Sequence, residues 1–374
     1  LAEAYVTDPS DARFAGSVLT AEVRERAFPV RRVLRFLHPP ALAALLLPLV
    51  PLEFPEAVAV WRILSLLALA AAGYLLVRRA GARTGLGAVA FCGLLLFDPV
   101  RATLDLGQTN AFVLLLVAAA LNVRSRWAAG VALGLAALLK SYVGLVPLAF
   151  VLARPSEEWR TGAGALLVAA VVGLSAFSLD PEGTGAWLDM LRSLSAMQFL
   201  WPEQQSVAAQ AARYLTGFSE QDVAGWTDRA VAAGVATWIG HAWALVVVAI
   251  VGVVAFLKRP GPFAMAALAL PAGLAASPVL HAHYGLVLVV PAAWILHHRH
   301  IGAPGVLVLA GVALQALPLH LAEAGYWSHY VRGDAAAWFF VSHRLVGVLL
   351  ALAGTTWALL GDDGTPEAAG ASPV

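Results

Sequence analysis

One lysine of this sequence lies inside an apolar stretch. The segment LAALLKSYVGLVPLAF, residues 135–150, suits the interior of a bilayer at every position except Lys140. A charged side chain at the centre of a bilayer costs about 2.5–3.5 kcal/mol on insertion scales. Lys140 is therefore predicted to lie at a turn between two short helices, where a fixed cation could stabilise negative charge. The alternative is that its side chain only snorkels to the membrane interface.

Other polar side chains lie in short segments between apolar runs. Gln108 and Asn110 lie in DPVRATLDLGQTN, where their amides could bind hydroxyl groups or cap the helix that starts near residue 110. Asp105 in the same segment is either a second carboxylate of the site or the ion-pair partner of Arg101, four residues earlier. His283, in SPVLHAHY, can donate a hydrogen bond even when neutral. Its alternative is a packing role with a backbone carbonyl as partner.

These residues do not predict a metal site or a cofactor. The chain has one cysteine, Cys92, and no Asp-x-Asp sequence. His281 and His283 are two residues apart, a spacing that would place them on different faces of a helix. The HHRH sequence at 297–300 indicates a positive anchor at the opposite interface, and the two aspartates at 362–363 lie in the tail. We therefore expect neither a metal nor another cofactor.

The elements that position the polar residues are predicted to be membrane helices. The 374 residues are 60% hydrophobic and 13% charged, whereas soluble domains have about 25% charged residues. The net charge of +1 gives no electrostatic case for nucleic-acid binding. The predicted fold class is an all-α polytopic membrane protein. Apolar runs predict spans or shorter helices at 57–77, 85–98, 110–122, 127–139, 142–153, 161–178, 240–257, 262–276, 279–297, 303–319 and 338–360.

Basic residues in the connections give the predicted orientation of these helices. Connections rich in Lys and Arg usually face the cytoplasm. If each run crosses once, the basic connections fall on one side and the polar segments described above fall on the extracytoplasmic side. The basic connections contain Arg78, Arg79, Arg83, Arg124, Arg126, Arg154, Arg160, Lys258, Arg259 and Arg299.

Residues 1–360 are predicted to form one membrane domain. Residues 1–40 are expected to be an external loop preceded by a further span, although their arginines favour the cytoplasm by the charge rule. The proline-rich stretch at 38–55 is predicted to be re-entrant or interfacial. The tryptophans of the external segment 179–239 either stack on sugar rings or lie at the interface, and WLDMLRSLSAMQFLWP could lie on the membrane as an amphipathic helix. Residues 361–374 are predicted to be a disordered cytoplasmic tail.

Five motifs follow one another along the chain: FLHPPALAALLLPLV, GQTNAFVLLLVAAAL, ALLKSYVGLVPL, EQQSVAAQAARYL and SPVLHAHYGLVLVVPA. Their order and spacing, between about residues 11 and 300, resemble glycosyltransferase family 87 of the GT-C superfamily. That family includes polyprenyl-phosphate-mannose-dependent mannosyltransferases and arabinofuranosyltransferases of cell envelopes. Five positions depart from the family pattern: His38 replaces Tyr, Gln204 replaces Asn, His281 replaces Trp, Tyr284 replaces the second His, and Pro147 lies later after Lys140 than the pattern expects.

The resemblance implies a metal-independent transfer of a sugar, mannose first, from a polyprenyl-phosphate donor to a hydroxyl group of a glycolipid acceptor at the outer membrane face. It implies an aspartate general base at Asp11, with Asp8 as second choice; Asp11 could instead be a helix cap or a solvated charge. Arg213 offers a bidentate fork for phosphate, or is a surface arginine. The implied phosphate-binding residues are Lys140, His283, Arg213 and Arg344, and the implied substrate-binding residues are Gln108, Asn110, Gln205, Ser206, His281 and Tyr284.

Three other functions are compatible with the sequence. One is an arabinofuranosyltransferase of the same family, and another is an inactive family member that acts as a scaffold. The third is a glycolipid transporter or flippase, because transporters also have polar residues at membrane depth. Many transporters have internal inverted repeats, which this sequence does not show, and its polar residues cluster at turns. These two observations favour the enzyme.

Overall fold

All regular secondary structure in the described part of the chain is helical. A computed structural model describes residues 46–81, 97–195, 204–217, 234–298, 302–317 and 334–361. Within these residues there are thirteen α-helices and three short 3-10 helices, at Leu47–Leu49, Ser141–Gly144 and Ala282–Leu288, and no strand. The α-helices are α1 Phe54–Arg79, α2 Asp98–Asp105, α3 Asn110–Asn122, α4 Arg126–Leu139, α5 Leu145–Ala153, α6 Pro155–Leu179, α7 Pro181–Ser195, α8 Val207–Thr216, α9 Gly234–Lys258, α10 Pro262–Ala276, α11 Val289–His297, α12 Ala303–Gln315 and α13 Ala335–Gly361.

The prediction of an all-α membrane protein is confirmed, and most apolar runs coincide with a helix. The runs at 110–122 and 262–276 match α3 and α10 residue for residue. The runs at 142–153 and 279–297 differ, because each contains a 3-10 helix ahead of its α-helix. Most of the run at 85–98 lies outside the described residues, as do residues 1–45 and the tail from residue 362.

Helix length separates the periphery from the interior. Four helices, α1, α6, α9 and α13, have 25–27 residues and are long and apolar enough to cross a membrane. The shorter helix α10 is central: thirteen of its fifteen residues are buried. A helix that is apolar on every face is expected inside such a bundle. The long helices α6 and α9 instead leave many leucines and valines exposed, as lipid-facing helices do.

Glycines allow the closest helix contacts. A Cβ atom at Gly130 of α4 would collide with the backbone carbonyl of Thr161 in α6, and one at Gly347 of α13 would collide with Gln315 at the end of α12. Close backbone approach at small residues is the usual way in which membrane helices pack, because lipid supplies little hydrophobic driving force between them. The two contacts fix α4 against α6 and α12 against α13.

The helices have two chemically different ends. At one end, here called the basic end, the arginine-rich connections meet, whereas Gln108, Lys140 and His283 lie at the other, here called the site end. The basic end is held by the pairs Arg126–Glu158 (3.2 Å), Arg154 Nε–Arg259 O (3.2 Å) and His297 Nδ1–Ala80 O (2.7 Å).

Candidate functional site

Lys140 lies at the C-terminus of α4 in an extended conformation that ends the helix (φ −147°, ψ 108°). Its side chain is buried, with 8% of the residue exposed, so the snorkelling alternative does not apply. The Nζ atom lies 3.2 Å from Gln108 Oε1 and 4.7 Å from the centroid of the Tyr284 ring. Both partners are neutral, and within the described ranges Lys140 forms no ion pair with a carboxylate. The structure therefore holds a buried cation beside an amide and an aromatic face.

Four aromatic rings, here called the aromatic row, lie next to Lys140: Tyr142, Tyr284, His283 and His281. Tyr284 packs against Tyr142 (centroids 5.4 Å apart) and against His283 (4.8 Å). His283 in turn stacks on His281, with centroids 5.6 Å apart and an interplanar angle of 20°. The expectation that the two histidines face different sides was wrong. It assumed an α-helix, but residue 281 is extended and precedes a 3-10 helix, which brings the two rings together.

Asn110 extends this cluster at the first turn of α3. The Asn110 side chain is fully buried, and its Oδ1 atom lies 3.5 Å from the hydroxyl of Tyr142. Neither Asn110 nor Gln108 caps α3, because the N-cap residue is Thr109 and no side chain caps the helix. Among the described residues, Asn110 Nδ2 and Thr109 Oγ1 have no hydrogen-bond partner although both are buried. An amide donor and a hydroxyl group thus remain available beside the aromatic row.

The QQS sequence at 204–206 connects residues 278–280 to helix α13 by hydrogen bonds. Gln204 accepts from the amide of Leu280 (2.7 Å) and donates to the carbonyl of Pro278 (3.0 Å). Gln205 donates to the carbonyl of Phe340 (2.9 Å) and accepts from the amide of Arg344 (2.8 Å). Ser206 caps α8 by accepting from the amide of Ala209. Gln205 and Ser206 were predicted to bind substrate; the contacts found here give them backbone partners that shape the segment leading to His281.

Two buried arginines lie in the same region. Arg213 is fully buried, which is inconsistent with a surface arginine, and it donates to the carbonyl of Gln204 at 2.6 Å. Arg344 of α13 forms a buried ion pair with Asp98, the first residue of α2, at 3.3 Å. Its backbone carbonyl accepts from the side chain of Gln315 at 2.8 Å. The site end therefore contains three buried cationic side chains, Lys140, Arg213 and Arg344.

Sequence reasoning missed three residues of this region. Asp98 was grouped with a loop although it is a buried carboxylate paired across 246 positions of sequence. Tyr142 was not selected because an aromatic residue in an apolar run usually belongs to the core. Gln315 did carry a usable signal, since a lone amide in an apolar helix is unfavourable unless it has a partner. Of the two roles predicted for Asp105, the structure shows the ion pair: its carboxylate pairs with Arg101 at 3.4 Å, and both side chains are exposed.

The predicted bases Asp8 and Asp11 lie outside the described residues. Residues 46–361, apart from their five gaps, contain no group of three or more His, Cys, Asp or Glu side chains that could hold a metal ion. The described site contains cations, amides, imidazoles, phenols and one buried carboxylate, Asp98, which pairs with Arg344.

The fold and the site define a polytopic membrane protein: a helical bundle with buried cationic side chains at one end. Comparison with known families gives the family. The model of glycosyltransferase family 87 matches residues 36–280, more than half of the chain. The chain therefore belongs to glycosyltransferase family 87. No curated protein and no solved structure is significantly similar to it. Gln108, Lys140, Gln205 and Arg213 lie within the matched range, and His281, His283, Tyr284 and Arg344 lie beyond it.

Proposed function

We propose that this family 87 protein transfers a sugar, mannose in the first instance, from a polyprenyl phosphate to a hydroxyl group of a membrane glycolipid or cell-envelope glycan. The reaction takes place on the extracytoplasmic face of the cell membrane, at the site end. The donor sugar and its lipid carrier go beyond the family assignment. Arabinofuranose is the alternative sugar.

The observation that carries this proposal is the environment of Lys140. The residue is 8% exposed, and the contacts of its ammonium group are an amide oxygen and a ring face. Neither contact neutralises its charge, and an uncompensated cation away from water is costly. An anion bound next to Lys140 would remove this cost. A lipid phosphate fits this requirement, because its charge lies next to an apolar chain that remains in the bilayer.

The chemistry requires a proton acceptor and stabilisation of the leaving phosphate. The bond between the anomeric carbon and the phosphate oxygen breaks, and the acceptor oxygen forms the new bond to that carbon. The acceptor proton passes to a carboxylate, proposed to be Asp11 with Asp8 as second choice, an effect worth about 10²–10⁴-fold in rate. The phosphate leaves with one additional negative charge, which Lys140, His283, Arg213 and Arg344 are proposed to stabilise.

The neutral groups are proposed to hold the sugars. Gln108 and Asn110 present amides at the start of α3, and the unpartnered Nδ2 of Asn110 is a donor available to a hydroxyl group. His281 and Tyr284, whose rings are in edge contact, supply ring faces and polar atoms, and the Tyr284 ring lies 4.7 Å from Lys140 Nζ. Gln205 and Ser206 are proposed to act mainly through the segment that they fasten.

The direct test is a transfer assay with the purified protein in lipid nanodiscs, supplied with a polyprenyl-phosphate sugar and a glycolipid acceptor. Lys140→Met is expected to lower kcat/KM for the donor by about 10²–10³-fold, the range for losing one fixed electrostatic contact. Lys258→Met, at the basic end, is the matched control and should leave the rate unchanged. Equal rates for the wild type and Lys140→Met would exclude the phosphate role.

Asp11→Asn tests the base. Transfer should be lost while the donor still binds, because the amide keeps the shape of the side chain but accepts no proton. If this variant transfers sugar at the normal rate, the general base is a carboxylate other than Asp11. Presenting the mannose and arabinofuranose donors in parallel identifies the sugar. Movement of glycolipid across vesicle membranes without sugar transfer would instead identify a flippase.

A further inference from the structure

The turn that carries Gln108 is held by two neighbouring side chains of α1. The indole Nε1 of Trp61 donates to the carbonyl of Gly107 at 3.0 Å, and the guanidinium Nε of Arg62 donates to the carbonyl of Leu104 at 3.3 Å. The Trp61 ring also packs on Phe112 of α3, with centroids 5.0 Å apart. Helix α1 thus reaches across to the turn between α2 and α3 with two hydrogen bonds.

These bonds fix one peptide plane. Gly107 has a positive φ of 61°, and the chain reverses there between α2 and α3. The carbonyl of Gly107 and the amide of Gln108 belong to the same planar peptide unit. Trp61 holds that carbonyl, and the amide of Gln108 donates to the carbonyl of Thr103 at 2.8 Å. With both polar atoms of the plane held, the position of the Gln108 Cα atom, from which the side chain leaves the backbone, is fixed.

Gln108 in turn holds the ammonium group of Lys140. Its Oε1 atom is 3.2 Å from Lys140 Nζ, and this is the one hydrogen bond of the Lys140 ammonium group within the ranges that the structure describes. We infer that Trp61 is a positioning residue: its indole N–H orients the peptide between Gly107 and Gln108, and Gln108 thereby places the Lys140 ammonium group. What Lys140 does there rests on the proposed function, whereas the positioning itself does not.

The chain offers an internal measure of this positioning, because it contains two lysines, Lys140 and Lys258. Both faces of a nanodisc are accessible to an amine-reactive reagent, so mass spectrometry gives the labelling ratio of Lys140 to Lys258 in one sample. Trp61→Phe keeps an aromatic ring against Phe112 and removes the N–H donor. We expect it to raise the ratio by about three- to tenfold, the equivalent of one net hydrogen bond.

A matched variant and a double variant separate positioning from packing. Trp127→Phe removes the same group from a half-exposed tryptophan that packs on Trp159 at the basic end, and should leave the ratio unchanged. Gln108→Ala should raise the ratio by itself, and Trp61→Phe should add nothing further in that background. An unchanged ratio in Trp61→Phe, or an increase of equal size with and without Gln108, overturns the inference.

The transfer assay adds a second measurement. Trp61→Phe should lower kcat/KM for the lipid-phosphate donor about three- to tenfold, because Lys140 contacts the phosphate before the reaction and stabilises its additional charge during it. An unchanged kcat/KM contradicts positioning for the donor phosphate. If the wild type transfers no sugar, the proposed function fails, and the labelling ratio still decides the role of Trp61.

Discussion

The two ends of the bundle treat charge in opposite ways. At the basic end the charged groups pair with one another and each pair has a partly exposed member, as in Arg126–Glu158 (36% and 2% of the side chains exposed) and Arg154–Glu157 (30% and 56%). At the site end Lys140, Arg213 and Arg344 are buried, and Lys140 contacts only neutral groups in the described part of the chain. Exposed pairs cost little to form and contribute little. Burying a cation is costly, so the difference supports the proposal that the site end binds an anion.

The largest expected effect tests whether the two ends face different compartments. In a Cys92→Ala background, Leu106→Cys places a thiol at the exposed turn of the site end, and Arg160→Cys places one at the basic end. A membrane-impermeant maleimide on intact cells should label only the first, and both after permeabilisation. Labelling of both positions on intact cells would remove the basis of the orientation.

The buried ion pair should dominate stability at the site end. Asp98→Asn leaves Arg344, which is 2% exposed, without its carboxylate, and breaking such a pair costs about 3–5 kcal/mol. Asp105→Asn, which breaks an exposed pair seven residues further on, should cost less than about 1 kcal/mol. Reversible unfolding in mixed micelles measures both. Similar losses for the two variants would mean that burial does not distinguish these pairs.

An intermediate effect is expected for the half-buried pair of the basic end. Glu158 is buried, accepts from the hydroxyl of Thr161 at 2.7 Å and pairs with Arg126, which is partly exposed. Glu158→Gln should therefore destabilise the protein by about 1–3 kcal/mol, the value for a hydrogen bond to a charged group. Sugar transfer per folded molecule should not change. A specific loss of turnover would show that the basic end contributes to catalysis.

The smallest effect on the free energy of unfolding is expected at Glu157, the residue before Glu158. Glu157 is exposed and pairs with Arg154 three residues before it. Glu157→Gln should change the free energy of unfolding by less than about 1 kcal/mol, because water replaces the lost partner. The same unfolding measurement serves as the check. A loss as large as that of Glu158→Gln would contradict the contrast between exposed and buried groups on α6.

The sequence was sufficient for the helices and for part of the site. Apolar runs bounded by polar residues or proline defined α3 and α10, because a segment in lipid must hydrogen-bond its own backbone groups and a helix does so. Assigning polar segments to one side correctly grouped Gln108, Lys140 and His283, which the structure brings into one cluster. Which of them act on substrate remains a prediction.

Contacts between distant segments could not be predicted in this way. The pairing of Asp98 with Arg344, and the hydrogen bond from Trp61 to the turn at Gly107, depend on how helices pack, and periodicity contains no such information. The stacked histidines were missed because a 3-10 helix and an α-helix look alike in an apolar sequence. Local pattern therefore located the polar residues but not their partners.

The shortness of α4 has a consequence for any lipid that reaches Lys140. Its 14 residues span about 21 Å, whereas the hydrocarbon layer of a bilayer is about 30 Å thick. If Arg126 lies at one interface and α4 runs along the bilayer normal, the ammonium group lies several ångströms below the opposite interface. A phosphate that binds there exchanges its hydration shell for protein contacts in a medium of low dielectric constant. Its attraction to Lys140 should then be nearly insensitive to the ionic strength of the surrounding solution, unlike recruitment of an anionic lipid at the membrane surface.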